Sequence, residues 1–418
     1  MSAVAKSRLE ALPVLDRRIA DNGSAGLLVV QLRNVDQLRS NYGYRVTEQI
    51  IDIVEARCRG AIRGHDQLWR LTDTSFALAI SPLPGDGLLL LAANKLRTIT
   101  NEPISIATER ILSKLHIGIA CAPQHGEDAD TLLQHAGIAA LAATSNKRDV
   151  ICFEPDLANR ARSELWLEHE LDEAIAKRGF QVFYQPKVNA ESQQVIGAEA
   201  LVRWHHAERG WIAPDLFIPL AERANRIAPL TEYVLQTALH HASSWPDAIS
   251  ISINLSPRLL GGTDLVDVVR SALGVWGVTP QRLTLEVTES AIMTDPDMAL
   301  DALAALRKIG VRISIDDFGT GYSSLAYFKK LPADELKIDR SFVMNIFNDA
   351  GDQRIVRTII TLAKEFGLRV TAEGIEDART ASQLAEMGCD LLQGYYFGRP
   401  QPQSEFAAML QVPAEPAA

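Results

Sequence analysis

No stretch of this sequence is apolar for long enough to cross a membrane. The longest such runs, at residues 27–30 and 88–93, fall far short of the roughly 20 residues that a spanning helix needs. The first segment, MSAVAKSRLEALPVLDRRIA, lacks a continuous apolar region and reads as a helix rather than a secretion signal. The expectation is a cytoplasmic protein with no membrane sensor of its own. Cysteine is scarce and scattered: Cys58, Cys121, Cys152 and Cys389 show no metal-ligand spacing, which argues for reduced, mostly buried thiols. Positive charge is in deficit, with 42 Lys and Arg against 52 Asp and Glu for a formal net charge of −10. That balance argues against a groove for a nucleic-acid polymer. An acidic chain can still bind a phosphodiester if metal ions and a few local cations do the neutralising. Low-complexity tracts and long blocks of one charge are also missing, so disorder is expected only in the tail 412–418.

What is present suffices for two or three domains: 418 residues, 47% apolar and 22% charged. Strand-like segments at 27–32, 67–70, 76–80, 111–120 and 149–153 alternate with helical ones at 45–63, 87–100 and 129–143, which predicts an α/β domain. The polar stretch 154–162, EPDLANRAR, marks a join, giving domains 1–156 and 157–418. A helix follows at 163–177, and a continuous connecting helix there would couple the domains. Beyond it, strands at 182–185, 195–201, 249–254, 283–287, 311–316, 335–338, 370–372 and 391–395 alternate with helices. About eight such repeats predict a (β/α)8 barrel, with a doubly wound open sheet as the alternative. In 249–254 and 283–287 one strand face is apolar and the other small and polar. A barrel places the polar face inward, whereas an open sheet covered on both sides favours apolar residues on both.

The segment 311–322, VRISIDDFGTGY, carries the sharpest chemical signal. Val311, Ile313 and Ile315 alternate with Arg312, Ser314 and Asp316, and Asp317 opens a turn. Adjacent carboxylates repel, and in a folded interior the cation between them is usually a metal. Glu199, Asn254, Glu286, Asp316, Lys337, Glu373 and Gln393 each fall at or near the C-terminal end of an expected strand. Barrel active sites are built at that rim. Singly, each is an ordinary solvated strand end; seven in register predict one site.

The phrases FYQPKV (183–188), EALVRW (199–204), FIPLAE (217–222), INLSP (253–257), LEVTES (285–290), IDDFGTGYSSL (315–325), LKIDRSFV (336–343), AEGIE (372–376) and QGYYFGRP (393–400) resemble the EAL phosphodiesterase family. The resemblance covers nearly all of residues 163–405. It implies hydrolysis of cyclic di-GMP, a bacterial second messenger of surface attachment and motility, to linear pGpG with two Mg²⁺ or Mn²⁺ ions. By that resemblance Glu199, Asn254, Glu286 and Asp316 hold one metal, and Asp316 bridges to a second held by Asp317. Oxygen ligands of this kind suit such hard ions. Lys337 and Glu373 resemble the catalytic lysine and its acid or base partner, with Glu199 also part of the catalytic set. Gln185, Arg203 and Gln393 resemble substrate contacts, Glu289 the acid that steadies the loop 316–322, and Glu376 a supporting residue. A homodimer through the barrel domain is implied too.

Residues 1–156 resemble a GGDEF, or diguanylate cyclase, domain through NYGY (41–44), RLTDTSF (70–76) and HIGIACAPQHGEDADTLLQHA (116–136). Its chemical residues are missing. Thr72, Asp73, Thr74, Ser75 and Phe76 replace the signature, Gln31 replaces a metal aspartate, and Thr144 stands where a phosphate-contacting lysine belongs. Without either metal acid no cyclase activity is expected. Arg63 and Asp66 fit the family's Arg-x-x-Asp product site, although an exposed surface pair is the plainer reading of two residues. The competing function is a cyclic di-GMP receptor or scaffold that hydrolyses nothing and signals through the degenerate domain.

Overall fold

The computed structural model describes residues 3–411 apart from 65, 84, 86, 107, 108, 146, 147, 178, 263 and 321–328. The chain divides into two compact units, Met1–Leu165 and Trp166–Ala418, each with its own core.

The first unit is built on a five-stranded sheet of β1 (Ala25–Leu32), β2 (Gln67–Thr72), β3 (Ser75–Ile80), β6 (Leu115–Ala122) and β7 (Val150–Cys152), in the order β2-β3-β1-β6-β7. Short strands β4 (Ile104–Ile106) and β5 (Glu109–Ile111) form a separate hairpin. β1 explains the layering. Leu28, Val30 and Leu32 share a core with Ile50, Ile51 and Val54 of helix Val35–Ala61 and with Leu89 and Leu96 of helix Gly87–Thr100. Leu27 and Val29 share another with Leu15, Leu132 and Ala136, from helices Ala3–Asn22 and Ala129–Ser145. The period-2 alternation of one strand thus serves two cores. The expected helix at 45–63 begins earlier, at Val35, and is interrupted at Gly43, whose φ of 77° is cheap only for glycine.

The stretch 154–162 leads into a continuous helix. It begins the helix Pro155–Ala176, for which Pro155 supplies a preset φ at the first turn, and the division between units falls within this helix.

The second unit is a closed barrel. Around it run β8 (Phe180–Asn189), β9 (Val195–His206), β11 (Ser250–Asn254), β12 (Leu283–Thr288), β13 (Arg312–Phe318), β14 (Glu335–Ile338), β15 (Arg369–Ala372) and β16 (Leu391–Gln393), with β16 and β9 both pairing with β8. Short β10 (Gly210–Ile212) and β17 (Gln401–Pro402) add to its edges. The barrel departs from a strict (β/α)8 pattern at one place: β8 is antiparallel to both neighbours. The cause is local. Only residues 190–194 separate β8 from β9, and a parallel crossover needs about a dozen or more.

Outward-facing Ile251, Ile253, Leu285, Val287, Ile313, Ile315, Leu336 and Val370 are fully buried in one core with Leu303, Leu306, Val356 and Ile360 of the surrounding helices. Each such aliphatic contributes about 1.5–3 kcal/mol by leaving water. The opposite strand faces fill the barrel with Lys187, Ser252, Thr284, Glu286, Ser314, Glu335, Lys337 and Thr371, all buried.

Candidate active site

Asp316, Lys337, Glu373 and Gln393 at or just past strand ends, and Glu376 beyond them, line one cavity of about 590 Å³ with Gln185 and Glu199. Glu199 departs from its expected place near a strand end, because β9 runs on to His206, and it pairs with Gln185 in the middle of β8. Asn254 and Glu286 join them directly. Asn254 Nδ2 donates to Glu199 Oε1 at 2.6 Å, and Glu286 Oε2 accepts from Lys337 Nζ at 2.6 Å. The parallel register sets Asn254 beside Glu286 and Thr288 beside Asp316, so neighbouring strands deliver their ends to one level. Gln393 Nε2 donates to Glu199 Oε2 at 2.6 Å, and Gly394 beside it has no Cβ; one built there would lie 2.1 Å from the Ile375 carbonyl oxygen. That close approach draws the turn carrying Glu373 and Glu376 against β16.

Asp317 differs from its expected place. It does not open a turn but lies inside β13, with φ 54° at a bulge where the two residues between Ile315 and Phe318 face one on β14, Lys337. The extra residue breaks the strict alternation that would otherwise turn Asp317 away from the face of Asp316. A non-glycine residue held there is strained, and such strain clusters at functional sites. Glu289 Oε2 accepts from the Gly319 N–H at 2.9 Å. Of the loop 316–322 that Glu289 was expected to steady, residues 321 and 322 lie outside the described residues, as do 323–325 of the longer motif.

Charge at the mouth is concentrated and unequal. Lys337, 1% exposed, places Nζ 2.5 Å from Glu373 Oε1, 2.6 Å from Glu286 Oε2, 3.2 Å from Asp316 Oδ2 and 3.6 Å from Glu199 Oε2. Burial opposes its charge, but these carboxylates hold the ammonium well above the ordinary lysine value. For Glu286 burial is likewise outweighed, by Lys187 and Lys337, which hold its carboxyl at about 2. The others are short of cations. Burial, with Asp316 and Glu199 nearby, pushes Glu373 up to about 8 despite Lys337. Burial and the Asp316 charge push Asp317 up to about 6, and burial raises Glu199.

Among the described residues no three His, Cys, Asp or Glu side chains stand ready as a closed metal cage; the ammonium of Lys337 lies among the carboxylates instead. The donor set still fits divalent cations. It is all oxygen, it holds more carboxylates than cations, and Gln393 Oε1 is a buried acceptor with no partner among the described residues.

One pH effect follows. A carboxyl raised in the fold contributes stability below its unfolded pKa of about 4.3 and loses it as pH rises through the folded value of about 8. In metal-free protein the Tm should therefore fall more steeply between pH 5 and 8.5 than in Glu373→Gln. The variant should be the more stable at pH 8.5 by a few degrees, since ~1 kcal/mol moves the Tm of a unit this size by about 2–4 °C. Parallel Tm curves would refute the raised carboxyl.

The chain belongs to the EAL family. Residues 168–400 match the EAL domain, and residues 8–150 ahead of it match "Diguanylate cyclase, GGDEF domain". The Pseudomonas aeruginosa protein MucR, named a bifunctional diguanylate cyclase/cyclic di-GMP phosphodiesterase, is 37% identical over 400 residues, covering 94% of this chain and 58% of that protein. The cyclic di-GMP phosphodiesterase NbdA of the same organism is 35% identical, over 94% of this chain and 51% of its own length. This chain thus spans little more than half of these relatives. A solved MucR phosphodiesterase in complex with c-di-GMP is 44% identical, with a TM-score of 0.56, over 58% of this chain and 99% of that structure.

Other residues singled out in the EAL sequence are placed as follows. Gln185 Nε2 donates to the Gly398 carbonyl at 3.2 Å, while its Oε1 accepts from Gln393 Nε2 at 3.1 Å. Arg203 lies with its guanidinium carbon 5.9 Å from the Phe183 ring centre, and burial lowers its pKa. In the GGDEF unit, Asp66 is buried and accepts from the Arg63 backbone N–H at 3.1 Å, with the Arg63 side chain exposed. Gln31, Thr72 and Ser75 line a cavity of about 620 Å³ whose only acid among its described lining residues is Asp130. Thr144 Oγ1 is turned back onto the Ala140 carbonyl at 3.1 Å. No described helix is long and apolar enough to cross a membrane.

Sequence reading missed Lys187 and Glu335. Lys187 Nζ lies 2.7 Å from Glu286 Oε1 and 3.2 Å from Glu335 Oε1. The signal was there in principle: each is a charged residue on the inward face of a strand otherwise buried.

Proposed function

We propose that the EAL unit hydrolyses cyclic di-GMP to linear pGpG, and that the GGDEF unit makes none. The observation that carries this reading is the surplus of carboxylates around Lys337 at the rim of the barrel. Glu199, Asn254, Glu286 and Asp316 would hold one Mg²⁺ or Mn²⁺, and Asp316 and Asp317 a second. Such ions, when bound, offset the surplus charge, ease deprotonation of water and neutralise the phosphodiester.

The remaining steps belong to side chains. Gln185 and Arg203 bind and orient the dinucleotide, an arginine fork suiting phosphate. Water adds to phosphorus as one of its protons passes to solvent, the P–O3′ bond breaks, and the phosphate stays on the 5′ oxygen. Glu373, whose carboxyl burial pushes up to about 8 while no cation is bound, is placed to give a proton to the leaving 3′ oxygen. The Lys337 ammonium, 2.5 Å from Glu373, stabilises negative charge developing on the phosphate. The test is release of pGpG from cyclic di-GMP by the purified chain with Mg²⁺ or Mn²⁺. Tight binding with no release under either metal would favour the receptor reading.

For the GGDEF unit, GTP with Mg²⁺ should give no cyclic di-GMP, because Gln31 and Thr74 supply no metal-binding carboxylate. GTP should likewise leave the rate of pGpG release unchanged. Cyclic di-GMP formed from GTP, seen by chromatography, would refute the first expectation.

A further inference from the structure

Beneath the mouth, the barrel is filled by a ladder of alternating charge. Arg369 Nη2 lies 3.2 Å from Glu335 Oε2, and Glu335 Oε1 lies 3.2 Å from Lys187 Nζ. Lys187 Nζ lies 2.7 Å from Glu286 Oε1, and Glu286 Oε2 lies 2.6 Å from Lys337 Nζ. Lys187, Glu286, Glu335 and Lys337 are each at most 3% exposed. Ser252 Oγ accepts the third hydrogen bond from Lys187 at 2.9 Å, and Thr371 Oγ1 donates to Glu335 at 2.9 Å.

Stability alone does not account for this filling. Aliphatic side chains of similar volume often serve a core as well as buried ion pairs do, because each buried charge must first be stripped of water. What an aliphatic residue at 187 could not do is hold one oxygen of Glu286. With Oε1 engaged by Lys187, the carboxylate plane is set, and Oε2 is carried to the level of Lys337 and the mouth.

We propose that Lys187 is a positioning residue for the cation centre, acting through Glu286 Oε1 to fix the carboxylate whose Oε2 serves the site. The proposal rests on the two-cation reading given above. Side chains that orient metal ligands alter affinity by about 10–100-fold when removed.

The experiment is a calorimetric titration of the full chain with Mn²⁺, without cyclic di-GMP, on wild type, Lys187→Met and the double variant Lys187→Met/Glu335→Gln. The double variant removes one charge of each sign, so the net charge inside the barrel is kept and Glu286 loses its anchor. It also guards against a single variant that fails to fold. In both variants the Mn²⁺ dissociation constant should rise about tenfold or more. Turnover should fall at low Mn²⁺ and recover as Mn²⁺ is raised, with KM for cyclic di-GMP unchanged, because Gln185 and Arg203 are untouched. A packing role alone would lower Tm and leave the Mn²⁺ affinity as in wild type. A folded double variant that binds Mn²⁺ like the wild type overturns the role of Lys187. A wild type that takes up no Mn²⁺ overturns the two-cation reading, and this proposal with it.

Discussion

Lys337→Met is expected to lower the Tm of the metal-free protein by about 10 °C at pH 8 and to abolish pGpG release. The ammonium is buried among Glu199, Glu286, Asp316 and Glu373, at 2.5 to 3.6 Å. Removing one partner of a buried ion pair costs about 3–5 kcal/mol, because the other charge is left in a poor solvent. Glu286 is the residue most affected, since among the described residues Lys187 then remains its single close cation. Lowering the pH should return part of the lost Tm by protonating the stranded carboxylates, and Mn²⁺ should return part of it at pH 8. Neither should return hydrolysis, because Lys337 also stabilises charge on the reacting phosphate. An unchanged Tm in metal-free protein at pH 8 would show that the cluster does not depend on its central cation.

The second large effect concerns the carboxylates themselves. Asp316→Asn and Glu199→Gln should each slow pGpG release by on the order of 10³-fold, because metal-ion stabilisation of developing charge supplies several kcal/mol and each ~1.4 kcal/mol is a factor of ten. Both substitutions keep the side-chain shape and remove one charge from a crowded anionic cluster. Their metal-free Tm should therefore stay within a few degrees of wild type. A variant that lost activity together with its fold would say nothing about ligation, so Tm and rate are read on the same samples. Near-normal turnover in Asp316→Asn would contradict its role between two cations.

The contrast between these variants and Lys187 shows what a linear sequence displays. Glu286, Asp316 and Lys337 each lie within two residues of the end of a short strand, and strand ends in a barrel meet at one rim, so local pattern and topology suffice to gather them. The polar inner face of residues 249–254 and 283–287 was visible for the same reason. Lys187 and Glu335 are 148 positions apart in the chain. Nothing local in QPKV says that its lysine is shared by two carboxylates from the far wall. The bulge at Asp317 was hidden too, because Asp-Asp-x-Gly after a strand reads equally well as the start of a turn, and only pairing with β14 shows the strand continuing to Phe318. The reversed direction of β8 could have been read from the five residues between it and β9, a connection too short for a crossover. In the GGDEF unit the order of elements was legible, whereas the extra turns before Arg45 and the hairpin at Ile104–Ile111 depend on packing with distant residues.

The most direct measurement is the rate of pGpG release from cyclic di-GMP as Mn²⁺ is titrated into metal-free wild type, with EDTA as the reverse control. The account predicts no release without metal, a rate that rises with Mn²⁺ to saturation, and its loss on chelation. Binding of cyclic di-GMP with no pGpG at any concentration of Mn²⁺ or Mg²⁺ would contradict it.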